Sequence, residues 1–187
     1  MKTINWDTKK AEILRNDNGR GNVSFEDCVI ALEEGRILDD ILNPSKKYPD
    51  QRMFVLGINN YAYIVPYVET NNEIFLKTVF PSKAYRNLFN LGKVMKNIPK
   101  VTNYIDDDEK QLIEAIERDD YQVGRSALTS DRLQELQAGA RAKMNEERAP
   151  ISLRIPKTDL SRLKTRAMQE GIPYQTLINS ILHKSVN

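Results

Sequence analysis

The spacing of apolar positions divides the chain into a short first strand, two helices, a meander of strands and then a train of helices. Ile4 and Trp6 alternate with polar neighbours, which predicts a strand, and Asp7 stands where a helix over Thr8 to Arg15 needs its N-terminal cap. Asn16 to Asn22 is a loop by composition. Ser24-Phe-Glu-Asp27 has the spacing of a helix start, and Phe25, Cys28, Val29 and Leu32 recur on one face until Gly35 ends it. From Ile37 the period falls towards two. Ile37 to Ile41, Arg52 to Ile58, Tyr61 to Val68 and Ile74 to Phe80 read as strands. The short polar connections at Asn59-Asn60 and Thr70 to Glu73 make them an antiparallel meander. Pro66 lacks an N–H and belongs at a bulge or an edge. Pro81-Ser82 turns the chain into a helix around Lys83 to Asn90.

Residues 91–103 carry few helix or strand signals and read as a linker. Asp106 to Glu109 opens a helix bearing Leu112, Ile113 and Ile116, and acidic residues suit such a start. Thr129 or Ser130 caps a further helix whose Leu133, Leu136, Ala140 and Met144 form an apolar stripe that something must cover. Ile151, Leu153 and Ile155 then alternate with Ser152 and Arg154, so a strand here has one apolar face and no partner strand in the helical sequence that follows. Thr158 to Glu170 reads as a helix stopped at Gly171. Pro173 suits the first turn of a last one, whose apolar face is Leu177, Ile178, Ile181, Leu182 and Val186. About forty residues are too few to bury that surface alone, so dimerisation through Ile151, Leu153 and Ile155 is expected.

Charge adds a division that periodicity does not show. The net charge of +2 is nearly neutral, yet residues 104–147 set six cations against twelve acids, and residues 148–187 set seven cations against two acids. An acidic middle sits beside a basic tail. Cys28 is the one cysteine, which excludes an internal disulfide, favours a reducing compartment and reads as a small buried hydrophobe. No apolar run approaches the roughly 20 residues of a membrane span and no signal-peptide core is present, so a cytoplasmic protein without membrane contact is expected. His183 is the one histidine, which excludes histidine-based hydrolysis and makes a metal site improbable. Neither a glycine-rich phosphate loop nor a zinc pattern occurs, and no cofactor is expected.

The order of strand, two helices and curled antiparallel sheet, with Ile4-Asn-Trp-Asp7, Val23-Ser-Phe-Glu-Asp27, Gln51-Arg52 and Phe75-Leu-Lys-Thr-Val-Phe-Pro-Ser82, resembles the BrnT-like toxins of the RelE-type ribonuclease fold. The strand-helix-helix tail, with its Gly171-Ile-Pro-Tyr-Gln-Thr176 junction, is similar to the ribbon-helix-helix domain of CopG-like antitoxins such as the BrnA-like partners of those toxins. Met95-Lys-Asn-Ile-Pro-Lys100 looks like the start of a separate protein, as though two adjacent products were joined. Together the resemblances imply an α+β chain in four parts. Residues 1–92 form a RelE-like sheet with N-terminal helices and 93–103 a linker; 104–147 form an acidic helical neutralising segment and 148–187 a ribbon-helix-helix domain.

The toxin resemblance implies metal-free RNA cleavage in which cations stabilise a charge-rich transition state and a tyrosine supplies or accepts a proton. The candidates are Arg52, Lys77, Lys83, Arg86 and Tyr63. For Tyr61 and Tyr63, packing on a half-buried sheet is the competing reading, and for Arg52 and Lys77 it is a solvated sheet edge. Leu112, Ile113, Ile116, Leu133, Leu136 and Met144 are expected to mask the toxin-like part, within one chain or between chains. The antitoxin resemblance implies a homodimer or higher even oligomer that lays Ser152 and Arg154 in the major groove of operator DNA. Lys157 and Arg162 add salt-sensitive affinity, and the backbone around Tyr174, Gln175 and Thr176 holds a phosphate. The function that follows is a joined type II toxin-antitoxin protein, its ribonuclease-like domain masked and its operator autorepressed. The competing function is a DNA-binding repressor whose toxin-like domain is inactive and only assists assembly.

Overall fold

The computed structural model describes residues 2–45, 47–49, 51–92, 98–146, 154–170 and 174–185. The chain divides into two compact units, Met1–Arg148 and Ala149–Asn187.

The first unit opens with strand β1 (Thr3–Trp6) and helix α1 (Thr8–Arg15), whose cap Asp7 accepts from the Lys10 N–H at 2.9 Å. A single 3₁₀ turn (Asn18–Arg20) leads to α2 (Phe25–Glu33). The Asp27 carboxylate accepts from the Ser24 N–H at 2.8 Å, and Gly35 closes the helix at φ +72, a conformation open to glycine. Strands β2 (Ile37–Leu42), β3 (Arg52–Ile58), β4 (Tyr61–Glu69) and β5 (Glu73–Leu76) form the expected antiparallel meander. The β3–β4 turn places Asn59 and Asn60 at φ 50 and 58, where asparagine is tolerated and the twist suits a hairpin. β1 returns parallel to β5, so the sheet runs β1-β5-β4-β3-β2.

Two expectations change. The run Ile74 to Phe80 is not one strand: β5 ends at Leu76, and a two-residue strand β6 (Phe80–Pro81) resumes pairing with β4. Pro66 sits inside β4 opposite Met53, in a register without a bulge. The two findings share a cause. β5 pairs with β4 only from Tyr67 on, and β6 only at Tyr63 and Ile64, so Pro66 lies where the neighbouring strand has left. The missing N–H therefore leaves no gap in a continuous ladder, while the Pro66 carbonyl still accepts from the Lys77 N–H at 2.8 Å.

Helix α3 (Lys83–Leu88) follows, then α4 (Asp107–Ile116) and α5 (Ser130–Glu146). The two apolar clusters of the unit lie on opposite faces of the sheet. On one face α1 and α2 pack on Phe54, Leu56, Tyr63, Val65 and Tyr67, and Leu136 and Ala140 of α5 join them, all at 3% exposure or less. On the other, Met53, Val55, Ala62 and Ile64 are covered by Tyr85 of α3 and by Leu112, Ile113 and Ile116 of α4. The acidic segment thus contributes a helix to each face. Between them, residues 117–129 pass the outer edge of β2, where the Ala127 N–H donates to the Asp40 carbonyl at 2.9 Å. Sheet edges offer unpaired donors and acceptors, and here one of them is taken up.

The second unit holds α6 (Lys157–Glu170) and α7 (Tyr174–Ser185). Its buried apolar residues, among those described, are Ala167 and Leu177, while Ile155, Met168 and Ile181 are exposed. Residues 151–153, which hold most of the expected ribbon, lie outside the described residues.

Candidate functional site

The contact between the sheet and the acidic segment is built around two buried ionic knots, one on each face. On the α4 face, Arg20 is fully buried at the end of the 3₁₀ turn. Its guanidinium donates to both oxygens of Glu109, at 2.9 and 2.7 Å, and to Asp17 at 2.8 Å. The carbonyls of Val79 and Asn103, at 3.0 and 2.9 Å, complete the set. Glu109 is the third residue of α4, so the capping position of Asp106 aims it; it also accepts from the Thr78 hydroxyl and from the Ile105 N–H. Burial works against the charge on Arg20, but Glu109 and then Asp17 outweigh it and raise the pKa.

On the α5 face the buried carboxylate of Asp40 accepts from Tyr67 at 2.8 Å, from Arg52 at 3.1 Å and from Arg132 of α5 at 3.2 Å. Arg132 also reaches both oxygens of Glu69, at 2.7 and 2.8 Å, and Glu135 at 2.7 Å. Burial opposes the Arg132 charge; the bond to Glu69 overcomes it and holds the pKa above its ordinary value. Gly139 brings α5 against β1: a Cβ there would lie 2.8 Å from the Lys2 carbonyl oxygen. Further along, Lys143 stands 5.0 Å over the Trp6 ring. No buried side-chain nitrogen or oxygen among the described residues lacks a hydrogen-bond partner.

A cleft of about 540 Å³ opens beside the first turn of α4. The sheet domain lines it with Lys10, Lys47, Tyr48 and Lys77, and α4 with Asp106 and Asp108. Asp108 pairs with Lys47 at 2.6 Å and accepts from the Tyr48 hydroxyl, and Asp106 lies 3.7 Å from Lys10. At the far end of α4, Glu117 accepts from the Ser82 hydroxyl at 2.5 Å and from the Ala84 N–H at 3.3 Å.

The candidate catalytic residues do not meet in one place. Arg52 is on the α5 face, held by Asp40 and Tyr67, whereas Lys77 is exposed beside the cleft on the α4 face, 5.1 Å over the Phe75 ring. Lys83 is exposed at the start of α3, and Arg86 lies 5.8 Å over the Tyr61 ring. Tyr63 is buried; its hydroxyl donates to the Arg20 carbonyl at 2.9 Å, and burial pushes its pKa well above the usual range. Cys28 is fully buried and its thiol is likewise pushed up. The masking candidates, by contrast, all pack on the sheet unit: Leu112, Ile113 and Ile116 on one face, and Leu136 with the half-buried Leu133 and Met144 on the other. Arg20, Asp40, Glu109 and Arg132 were not singled out from the sequence, although they hold these helices in place.

In the second unit Arg154 and Lys157 are exposed, Tyr174 opens α7 beneath Lys164, and Gln175 is exposed. Thr176 is in α7, and Ile155 is exposed. The candidates Ser152, Ile151 and Leu153 lie outside the described residues. No group of residues that could hold a metal ion, and no helix long and apolar enough to cross a membrane, occurs among the described residues.

An α+β unit gripped on both faces by its own following helices, joined to a small two-helix unit, defines a sheet domain with a helical partner in one chain. Residues 96–185 match the family model of the CopG antitoxin of type II toxin-antitoxin systems. The match takes in α4 to α7 and leaves the sheet outside it. No match was found among curated proteins or among solved structures.

Proposed function

We propose that this chain is a joined type II toxin-antitoxin protein. Residues 1–92 are a ribonuclease-like domain of the RelE type and residues 104–147 the antitoxin segment that masks it. Residues 148–187 are a ribbon-helix-helix dimer that binds operator DNA and represses its own transcription. The observation that carries the reading is the coincidence of two boundaries. The antitoxin-family match begins ahead of α4, and from α4 onward the first unit consists of helices laid on a sheet that the match does not include. The exposed Ile155, Met168 and Ile181 of the second unit support dimerisation, since Ala167 and Leu177, the buried apolar residues among those described, make no core for two helices. Arg154 is exposed, as a bidentate bond to guanine requires.

A second reading is favoured by one observation. Arg52 and Tyr63 are engaged in buried or half-buried hydrogen bonds and stand apart from Lys77, as in a repressor whose sheet domain has lost catalysis and only assists assembly. Residues 1–92 produced alone separate the two. Growth arrest or RNA cleavage, silenced by residues 95–147 supplied in trans, is the outcome of the first reading. Silence throughout, with the two pieces still binding, is the outcome of the second. Failure of the pieces to bind in a pull-down at moderate salt refutes masking in either form.

A further inference from the structure

We propose that Lys10, Lys47 and Lys77, with Tyr48, form a groove for the phosphodiester backbone of single-stranded RNA, and that Asp106 and Asp108 occupy it as an intramolecular competitor. The proposal rests on the masking reading above and moves its location: of the expected set Arg52, Lys77, Lys83 and Arg86 it keeps Lys77 alone and joins it with Lys10 and Lys47.

Three lysines distant in sequence converge here: Lys10 from α1, Lys47 from the connection between β2 and β3, and Lys77 from the end of β5. The cleft they line, about 540 Å³, lies within the range of ligand sites, roughly 300–1,000 Å³. Among the described residues that line it, the sheet domain contributes no acid; Asn43, Ser45, Gln51 and Thr78 are neutral, and every carboxylate comes from Asp106, Asp108 or Glu109. Without the acidic segment, the described part of that wall carries three positive charges and no carboxylate.

The carboxylates sit as phosphate oxygens would. Asp108 offers one oxygen to the Lys47 ammonium at 2.6 Å and the other to the Tyr48 hydroxyl, while Asp106 stands by Lys10. Lys77 is exposed and rests on a ring face, ready to take a third group. A row of cations beside an aromatic ring suits an unpaired strand, whose backbone follows the charge and whose bases stack; a cleft of this size does not take a duplex.

The test uses the full chain with Asp106→Asn and Asp108→Asn. Asparagine caps a helix as well as aspartate and still accepts from Tyr48, so charge is removed while the fold is kept, which a thermal unfolding curve verifies. Binding of a fluorescein-labelled oligouridylate is followed by anisotropy across a salt series. The same chain with Lys10→Gln, Lys47→Gln and Lys77→Gln added gives the background from the rest of the protein. The double variant is expected to bind about tenfold more tightly than the parent at low salt, because like-charge opposition has gone. The three glutamines should return it to the parental level and reduce the slope of log affinity against log salt by about 2. No gain in binding, or a gain that survives the glutamines, overturns the proposal. If residues 1–92 are still silenced by residues 95–147 in trans, the masking reading stands and only its location has failed.

Discussion

Glu109→Gln is the substitution for which the geometry makes the strongest demand. Arg20 and Glu109 side chains are 1% and 2% exposed, so water cannot replace a lost partner. A glutamine that keeps its oxygen towards Arg20 Nη2 and the Ile105 N–H must turn its NH₂ towards Arg20 Nη1, which then faces a donor instead of an acceptor. Thr78 can accept from that NH₂, and Asp17 still neutralises part of the Arg20 charge. Breaking a buried pair by removing one partner costs about 3 to 5 kcal/mol, and the remaining partners place this case near 3. Trp6, the one tryptophan, belongs to the same unit and reports its unfolding in urea by fluorescence. A loss below about 1 kcal/mol refutes the view that this pair holds α4 down. The double replacement Arg20→Met with Glu109→Leu supplies the control: with no orphaned charge, most of the lost stability should return.

Gly139→Ala should destabilise the first unit, although alanine favours an isolated helix by about 1 kcal/mol; the contact with the Lys2 carbonyl forces α5 outward at about 1 to 3 kcal/mol, and a net gain in a urea titration refutes the packing argument. Acid should loosen α5 before neutral or alkaline pH does. Burial raises the pKa of Glu69 and Glu135, but Arg132 and then Lys2 outweigh it, so both folded values lie below the ordinary glutamate value of about 4.3. Their contribution is therefore complete above that value and lost as pH falls through the lower folded pKa. Trp6 emission, sensitive to Lys143 above its ring, should shift in that acid range, and Arg132→Met should move the shift to higher pH; an unchanged midpoint counts against the network. In the second unit Arg154→Ala should abolish operator preference, about 1 to 3 kcal/mol for each bidentate contact, and leave the dimer intact by light scattering; unchanged preference in an operator selection refutes readout by that residue.

The elements were legible because their signals are local. Asp7 caps α1, Asn59-Asn60 turns β3 into β4, and the stripes of α4 and α5 bury the residues the 3.6 period names. What those stripes cannot say is which surface covers them, and here it is opposite faces of one sheet. Arg20 lay in an asparagine- and glycine-rich loop that reads as solvated, and its partner Glu109 is 89 residues away in a helix start where acids are ordinary. Asp40 likewise ends in a knot with Arg132, 92 residues on. Strand β5 broke where only the neighbouring Pro66 gave a cue, and that cue belonged to a different strand. Lys77 and Arg52 could be named as basic positions, yet the strand parity that separates them depends on where β5 stops.

The passage of residues 117–129 around the β2 edge also sets an order of events during synthesis. From Leu88 at the end of α3 the ribosome adds 58 residues before Glu146 completes α5. At about 5 to 20 residues per second that is about 3 to 12 s before the second of the two helices can join the sheet, α4 being complete 30 residues earlier. Thereafter the encounter is intramolecular, at an effective concentration in the millimolar range that no change in expression level can dilute. A helical partner made as a separate product must be kept in excess to cover every copy of the sheet; for helices carried in the same chain the ratio is fixed at one to one, and the first copy made is already matched.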